Sequence, residues 1–293
     1  MDALVYFIAL PFIYLISLLP FSLLYLLSDF VYFILFYCIG YRKQVVLQNL
    51  RNAFPDKTDA EINAICKNFY HYLCDLIFEV LKILTISKKT MLKRCKFDPE
   101  SLAIFSKYAD EGKSVILVMG HIGNWEWAGH PFSLLCRQQL YVIYHPLANK
   151  RFDCFMHRMR SRFGTRMIAM RTAYKEMIAH KNELTATAFI ADQTPQPENA
   201  YWTTFLNQDT PIFKGTEIIA KKMNLPIVYS YIKREKRGYY TMFSSILTDN
   251  PATTTDGEIS EMHTRHLEQD IIANPETWLW SHRRWKHKRP LTP

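Results

Sequence analysis

Apolar residues are distributed unevenly along this chain. From Ala3 to Ser28 no charged residue occurs, and after Asp29 the apolar run resumes from Phe30 to Tyr41. A run of about 18 or more apolar residues is long enough to cross a membrane as a helix. Pro11 and Pro20 interrupt it, which predicts either a kinked span or two helices, one of them in the interface. The segment lacks a basic leader and a small-residue cleavage site, so it reads as retained rather than cleaved. Arg42, Lys43 and Arg51 follow at once, and the positive-inside rule then places the rest of the chain in the cytoplasm. A buried hairpin of a soluble protein is the alternative to membrane attachment.

Beyond Arg42 the spacing changes. Thr58-Asp-Ala-Glu61 has the form of a capping box, and Ile62, Ile65, Phe69, Tyr72 and Leu73 recur behind it at helical spacing. Leu76, Ile77, Val80 and Leu81 continue the stripe. Residues 88–113 read as connector and helix. Ser114-Val-Ile-Leu-Val-Met-Gly120 is short, β-branched-rich and ended by Gly, which predicts a buried strand. A helix from about Asn124, a strand over 140–144 and a basic helix over 151–164 follow. Further on come a helix from Thr172, a strand over 185–190, a helix over 215–222, and two strands, 225–232 and 238–243, as a terminal hairpin. Strands alternating with helices predict an α/β fold: a mostly parallel central sheet wrapped by helices, with one or more N-terminal membrane helices. The expected division is a membrane-anchoring segment, 1–41, and a cytoplasmic domain, 42–293.

Composition narrows the function. The chain has 293 residues, 49% of them hydrophobic and 14% aromatic, which is too apolar for disorder. Its net charge of +9 suits anionic lipid surfaces, phosphorylated substrates or an acidic carrier protein. No zinc-finger spacing, RNP-like strand or basic heptad region supports nucleic acid as the partner. The six cysteines, Cys38, Cys66, Cys74, Cys95, Cys136 and Cys154, form no CxxC pair and read as reduced thiols. Ten histidines make no compact ligand set, so no metal and no cofactor is expected. A G-x-S-x-G elbow is also missing, which argues against a serine hydrolase.

The candidate chemistry lies in His121-Ile-Gly-Asn-Trp-Glu126, just past the strand over 114–120. Ligands collect at strand ends in α/β sheets. On an ideal helix, residues five apart lie about 140° from each other, so His121 and Glu126 meet only if the His is in the turn and the Glu in the first helical turn. Gly120 and Gly123 supply freedom for that turn. A carboxylate on one imidazole nitrogen fixes the tautomer and leaves the other nitrogen free to take a hydroxyl proton. The same pattern also suits a structural His capped by a nearby carboxylate. Asp192-Gln193, after the strand over 185–190, suits either a site role on the same sheet edge or loop capping before Pro195. Lys214-Gly-Thr-Glu217 suits an ordinary helix start or an anion site.

His121-Ile-Gly-Asn-Trp-Glu126 resembles the H-x-G-N-W-E form of the HxxxxE block in the late acyltransferases of lipid A biosynthesis. Tyr144-His-Pro-Leu-Ala-Asn149, with Arg162 and Gly164 downstream, resembles that family's second block. Asp192-Gln193 resembles its D-Q, and Trp278-Leu-Trp-Ser-His-Arg-Arg-Trp-Lys286 its W-x-W-x-H-R-R-x-K. Leu18-Leu-Pro-Phe21 and Asn49-Leu-Arg-Asn-Ala-Phe-Pro55 resemble its N-terminal part. Two departures stand out: His145 where the family has Arg, and Phe205–Gly215 where it has a Phe-Phe-Gly-type segment.

The resemblance implies a membrane-bound acyltransferase of the inner membrane. Its acyl donor would be acyl carrier protein and its acceptor a hydroxyl of a lipid A precursor. His121 and Glu126 would be catalytic, and Asn124, Arg162, Asp192 and Gln193 substrate-binding. Among the basic residues Arg158, Arg160, Arg162, Arg166 and Arg171, the resemblance singles out Arg162; otherwise such a run suits a solvated helix face. It also implies that the first part of the C-terminal Trp-rich segment packs near the site, with Lys286 to Arg289 left for headgroups. A same-fold acyltransferase acting on another lipid, or a non-catalytic basic protein of the membrane surface, are the alternatives.

Overall fold

A computed structural model describes residues 2–290; Met1 and residues 291–293, the ends of the two expected segments, lie outside the described residues. The N-terminal run forms two helices, α1 (Asp2–Leu18) and α2 (Phe21–Phe33), with a wider π-helical turn over Ile34–Ile39. The break falls at Pro20, whereas Pro11 is accommodated inside α1. Gly40, at φ 65°, ends the segment. Helices α3 (Lys43–Ala53), α4 (Asp59–Lys82) and α5 (Lys88–Arg94) follow. The capping box of α4 is present: Thr58 Oγ1 accepts from the Glu61 backbone at 3.3 Å, and the Glu61 carboxylate accepts from the Thr58 N–H at 2.8 Å.

The remaining elements are β1 (Cys95–Phe97), α6 (Pro99–Asp110), β2 (Val115–Met119), α7 (Trp125–Leu135), β3 (Gln139–Tyr144), α8 (Lys150–Arg160), β4 (Arg166–Ala169), α9 (Ala173–Ala179), β5 (Thr185–Ile190), β6 (Ala200–Phe205), β7 (Gln208–Phe213), α10 (Gly215–Met223), β8 (Ile227–Lys236), β9 (Tyr239–Thr248) and α11 (Glu258–Ala273). Seven strands form the central sheet in the order β1-β9-β8-β2-β5-β3-β4. Neighbours are parallel except β8 and β9, which pair antiparallel as the expected hairpin. The fold is thus α/β with a mostly parallel sheet, as the alternation of elements predicts.

The sheet is covered on both faces, and β2 shows why its sequence is apolar throughout. Ile116 and Val118 point to one core, with Phe69, Tyr72, Leu73 and Leu76 of α4. Val115, Leu117 and Met119 point to the other, with Phe105, Trp127 and Phe132. Successive strand side chains alternate faces, so a strand buried on both sides loses its polar positions. Truncating such a residue, for example Leu117→Ala, costs about 2–5 kcal/mol.

Three elements differ from the pattern read along the chain. Strand β1 has only three residues and takes its place from pairing with β9, Cys95 opposite Tyr240. The β6–β7 hairpin turns at Leu206 and Asn207, both at positive φ (50° and 60°). Hairpin turns of that kind normally announce themselves with Asn-Gly. Here Leu206 is held instead by burial and by the Glu268 carboxylate, which accepts its N–H at 2.5 Å. Helix α11 follows the β8–β9 hairpin, which is therefore not terminal; its buried face includes Ser260, His263 and Thr264, which dilute the apolar periodicity.

Candidate active site

Strands β2 and β5 are adjacent and parallel, with Met119 opposite Ile190. Their C-terminal ends therefore deliver His121 and Asp192 to the same edge. Asp192 Oδ1 lies 2.6 Å from His121 Nδ1, and Asp192 Oδ2 accepts the His121 backbone N–H at 2.8 Å. The indole N–H of Trp278 donates to the same Oδ2 at 2.8 Å. Burial acts to raise the Asp192 pKa, but His121 and these donors outweigh it and hold the carboxyl well below the usual range. With the carboxylate ionised, Nδ1 is the protonated nitrogen and donates to Asp192. Nε2 is then the acceptor; Gln193 Nε2 lies 3.4 Å from it.

The loop between β2 and α7 is tightly specified. A Cβ at Gly120 would sit 2.6 Å from the Leu267 side chain and 3.3 Å from Asp192 Oδ2. At Gly123, φ is +58° and a Cβ would lie 1.8 Å from the Ile232 carbonyl oxygen, so only glycine fits. The Tyr72 hydroxyl donates to the Gly123 carbonyl, and the Gly123 N–H donates to the Thr277 carbonyl at 3.0 Å. Asn124 caps α7 by accepting the Trp127 N–H at 3.0 Å, and its amide donates to Glu79 of α4 at 2.7 Å.

Glu79 anchors this loop from behind. Its carboxylate also accepts from Tyr25 (2.8 Å) and Tyr240 (2.6 Å), while its backbone carbonyl accepts from the Trp127 indole at 2.8 Å. Complete burial pushes its pKa up to about 7, against the pull of the two tyrosine hydroxyls. Asn124 is thus a buried loop anchor, not a residue facing open space.

Glu126 does not touch His121 in the way its spacing suggests. Its carboxylate is taken by Arg160 of α8 in a two-pronged pair, Nε to Oε2 at 2.8 Å and Nη2 to Oε1 at 2.5 Å. The first turn of α7 carries Glu126 towards α8, and the neighbouring strand supplies the imidazole with Asp192 instead. Arg162 is likewise placed away from the expected role. Its guanidinium donates to the carbonyls of Ile83 and, at 2.6 Å, Ile86, beyond the C-terminal end of α4. Arg160, two residues earlier, is the arginine that faces the cavity.

That cavity measures about 620 Å³ and opens beside His121. Its apolar wall includes Leu117, Met119, Phe132, Leu140, Val142, Ala188 and Met242. Its polar lining includes His121, Glu126, His145, Arg160, Gln193, His282 and Lys286. The C-terminal Trp-rich segment encloses it from one side. Trp278 pairs with Ile122 and holds Asp192, and Asn49 of α3 donates to the carbonyls of Trp280 (2.9 Å) and His282 (3.1 Å). Arg284 is fully buried and donates to the Pro211 carbonyl at 2.6 Å. Lys286 lines the cavity, while Arg289 pairs with Asp209 at 2.8 Å. Asp29, His71 and Asp75 form the one group among the described residues spaced to hold a metal ion, but Arg237 already occupies it, bonding both aspartates.

An oriented imidazole beside a largely apolar cavity, on an α/β sheet, suits chemistry on a substrate with a bulky apolar group. The model of the bacterial lipid A biosynthesis acyltransferase family matches residues 1–287, and the chain belongs to that family; it is an acyltransferase. A lipid A biosynthesis acyltransferase of Haemophilus influenzae is 22% identical over 239 residues, which cover 79% of this chain and 72% of that relative.

Proposed function

We propose that this acyltransferase moves a fatty acyl chain from an acyl carrier protein thioester to a hydroxyl of a lipid A precursor, with His121 as general base. The observation that carries the reading is the His121–Asp192 pair at the rim of the apolar cavity. Asp192 accepts the hydrogen bond from Nδ1–H, stays ionised and stabilises the imidazolium that forms. Nε2 takes the proton of the acceptor hydroxyl as that oxygen attacks the thioester carbonyl carbon. The C–S bond then breaks and His121 returns the proton to the departing thiolate. No covalent enzyme intermediate is needed.

The apolar wall takes the hydrocarbon chain, whose burial contributes about 0.8 kcal/mol per methylene. Arg160 commits Nε and Nη2 to Glu126 and keeps Nη1 for the carbonyl oxygen or a substrate phosphate. Lys286 adds positive charge to the cavity lining, which suits the anionic donor and acceptor. Glu126 acts through Arg160 in this scheme, and Gln193, beside Nε2, positions the hydroxyl. Helices α1 and α2 attach the enzyme to the inner membrane, with the catalytic domain (42–293) in the cytoplasm.

The test is acyl transfer by membranes containing the protein, using labelled acyl carrier protein and a tetra-acylated lipid A precursor. Transfer by the native chain that disappears in His121→Ala and Asp192→Ala, both still folded, supports the reading. Consumption of thioester on a total lipid extract, without transfer to the precursor, would replace the acceptor with another lipid. No consumption under any condition would overturn the enzymatic assignment of donor and base together.

A further inference from the structure

Five of the six large exposed side chains of α2 and its π-helical extension fall on one line, the sixth being Ile39 at the end of the segment. Leu23, Leu26, Phe30, Phe33 and Tyr37, spaced alternately three and four residues apart, are all about half exposed or more. The opposite face is engaged along its length by the catalytic domain. Tyr25 donates to Glu79, Ser28 donates to Asp75 at 2.8 Å, and Asp29 pairs with Arg237 at 2.6 Å and with His71 at 2.9 Å. Phe36 packs on Tyr70, and the Tyr70 hydroxyl donates to the Tyr41 carbonyl. At the junction with α1, Lys82 donates to the carbonyls of Ser17 (2.7 Å) and Leu19 (2.6 Å).

Length alone would let this segment cross a bilayer, since Phe21–Ile39 is 19 residues of apolar helix. The contacts forbid it. The midpoint of the segment is Phe30, and its neighbour Asp29 is bonded to Arg237 on the β8–β9 turn. The Asp29 side chain is 44% exposed and that of Arg237 30%. A crossing helix would carry this half-open ion pair, with Asp75, α4 and the β8–β9 turn, into the hydrocarbon core, where unsealed charges are strongly disfavoured. A helix with one polar, docked face and one apolar face lies in the interface instead.

We infer that α1 and α2 lie in the plane of a single leaflet, with the stripe Leu23–Tyr37 sunk into the lipid, and do not span the membrane. The inference rests on the membrane attachment proposed above and fixes its geometry. It also explains the surroundings of α1. Arg151 of α8 stands over the Phe7 ring at 5.3 Å, and Phe152 meets Tyr6 edge-on at 5.4 Å. Cations above aromatic rings of an apolar helix suit the headgroup layer. Leu147, exposed and lining the cavity, is tied to α8, the helix that meets α1, by donating its N–H to Asp153 at 2.8 Å. An in-plane pair therefore brings the cavity mouth to the lipid surface, from which a lipid acceptor and a growing acyl product need not leave.

The test is a depth profile. In the full chain carrying Cys38→Ser and Cys154→Ser, single cysteines replace Leu23, Leu26, Phe30, Phe33 and Tyr37 in turn and are spin-labelled. The protein is reconstituted in vesicles of phosphatidylethanolamine and phosphatidylglycerol. Relaxation by oxygen against a water-soluble nickel chelate then reports depth. The inference predicts one shallow depth for all five positions. A profile that deepens to a maximum at Phe30 and becomes shallow again on both sides would establish a span and overturn it. Five labels all accessible to the chelate as in water would instead defeat membrane attachment itself.

Discussion

Two carboxylates belong to the site around His121, Asp192 bonded to its imidazole and Glu126 on the cavity wall that the imidazole also lines, and the structure uses them differently. Asp192 lies behind the ring, buried, with each oxygen taken by an N–H of His121 or Trp278. Glu126 lies on the cavity wall and is clamped by Arg160. A carboxylate sealed behind an imidazole sets its tautomer and stabilises its cation; one paired with an arginine sets where a guanidinium points. Sequence proximity therefore says little about which acid serves the histidine. What decides it is strand adjacency, because β2 and β5 end side by side while α7 turns its first residues towards α8.

Substitutions at the two carboxylates would sharpen this contrast. His121→Ala should lower the transfer rate by about 10³-fold or more, the scale of a lost general base. Asp192→Asn removes the negative charge and, with its one oxygen held by the His121 and Trp278 N–H groups, turns an NH2 donor towards Nδ1; it should cost about 10²–10³-fold, with bound acyl donor affected little. Glu126→Gln should cost about 10–10²-fold, expressed mainly in KM because Arg160 loses its orientation. The same change leaves a partly buried guanidinium without its charge partner, at about 1–2 kcal/mol after allowance for solvent. Thermal unfolding of the purified variants checks the last figure.

Smaller effects separate support from chemistry. Glu79→Gln keeps the shape but places a donor against Tyr25, Tyr240 and Asn124, and should destabilise by about 1–3 kcal/mol. Arg162→Lys should leave transfer nearly unchanged and lower stability by about 1 kcal/mol, since its partners are backbone carbonyls near the end of α4.

Acid sensitivity provides a further check. Burial holds His130 and His263 neutral, lowering each from 6.5 to about 4. Between those values the unfolded chain binds more protons than the folded one, so stability is present above pH 6.5 and falls as pH drops towards 4. Each histidine contributes up to about 3 kcal/mol to that fall. Glu79, raised to about 7, works in the opposite sense over part of the window. His130→Phe and His263→Phe should each flatten the dependence of melting temperature on pH.

Much of this was legible along the chain. The β-branched run of β2, the capping box of α4 and the Pro20 break each carry a local physical cause, so the α/β fold and the position of His121 at a strand end followed. The strand β1 and the hairpin β6–β7 did not, because pairing partners distant in sequence hold them in place. Asp192 was visible as a polar residue ending a strand, yet its partner was hidden, since strand order is a tertiary property. Arg160 and Arg162 could not be told apart by composition; only the packing of α8 against α7 and the end of α4 separates them. Glu79, Asp75 and Arg237 sat inside apolar or charged surroundings that gave no sign of a shared network.

The most direct measurement is the single-turnover rate of acyl transfer for Asp192→Asn beside Glu126→Gln, in solubilised enzyme at saturating acyl carrier protein thioester and lipid A precursor. Matched melting curves would ensure that both variants are folded. The account predicts that Asp192→Asn is slower than Glu126→Gln by about tenfold or more, because only Asp192 serves the base. A native-like rate in Asp192→Asn, together with loss of turnover in Glu126→Gln, would contradict it and return the histidine to Glu126.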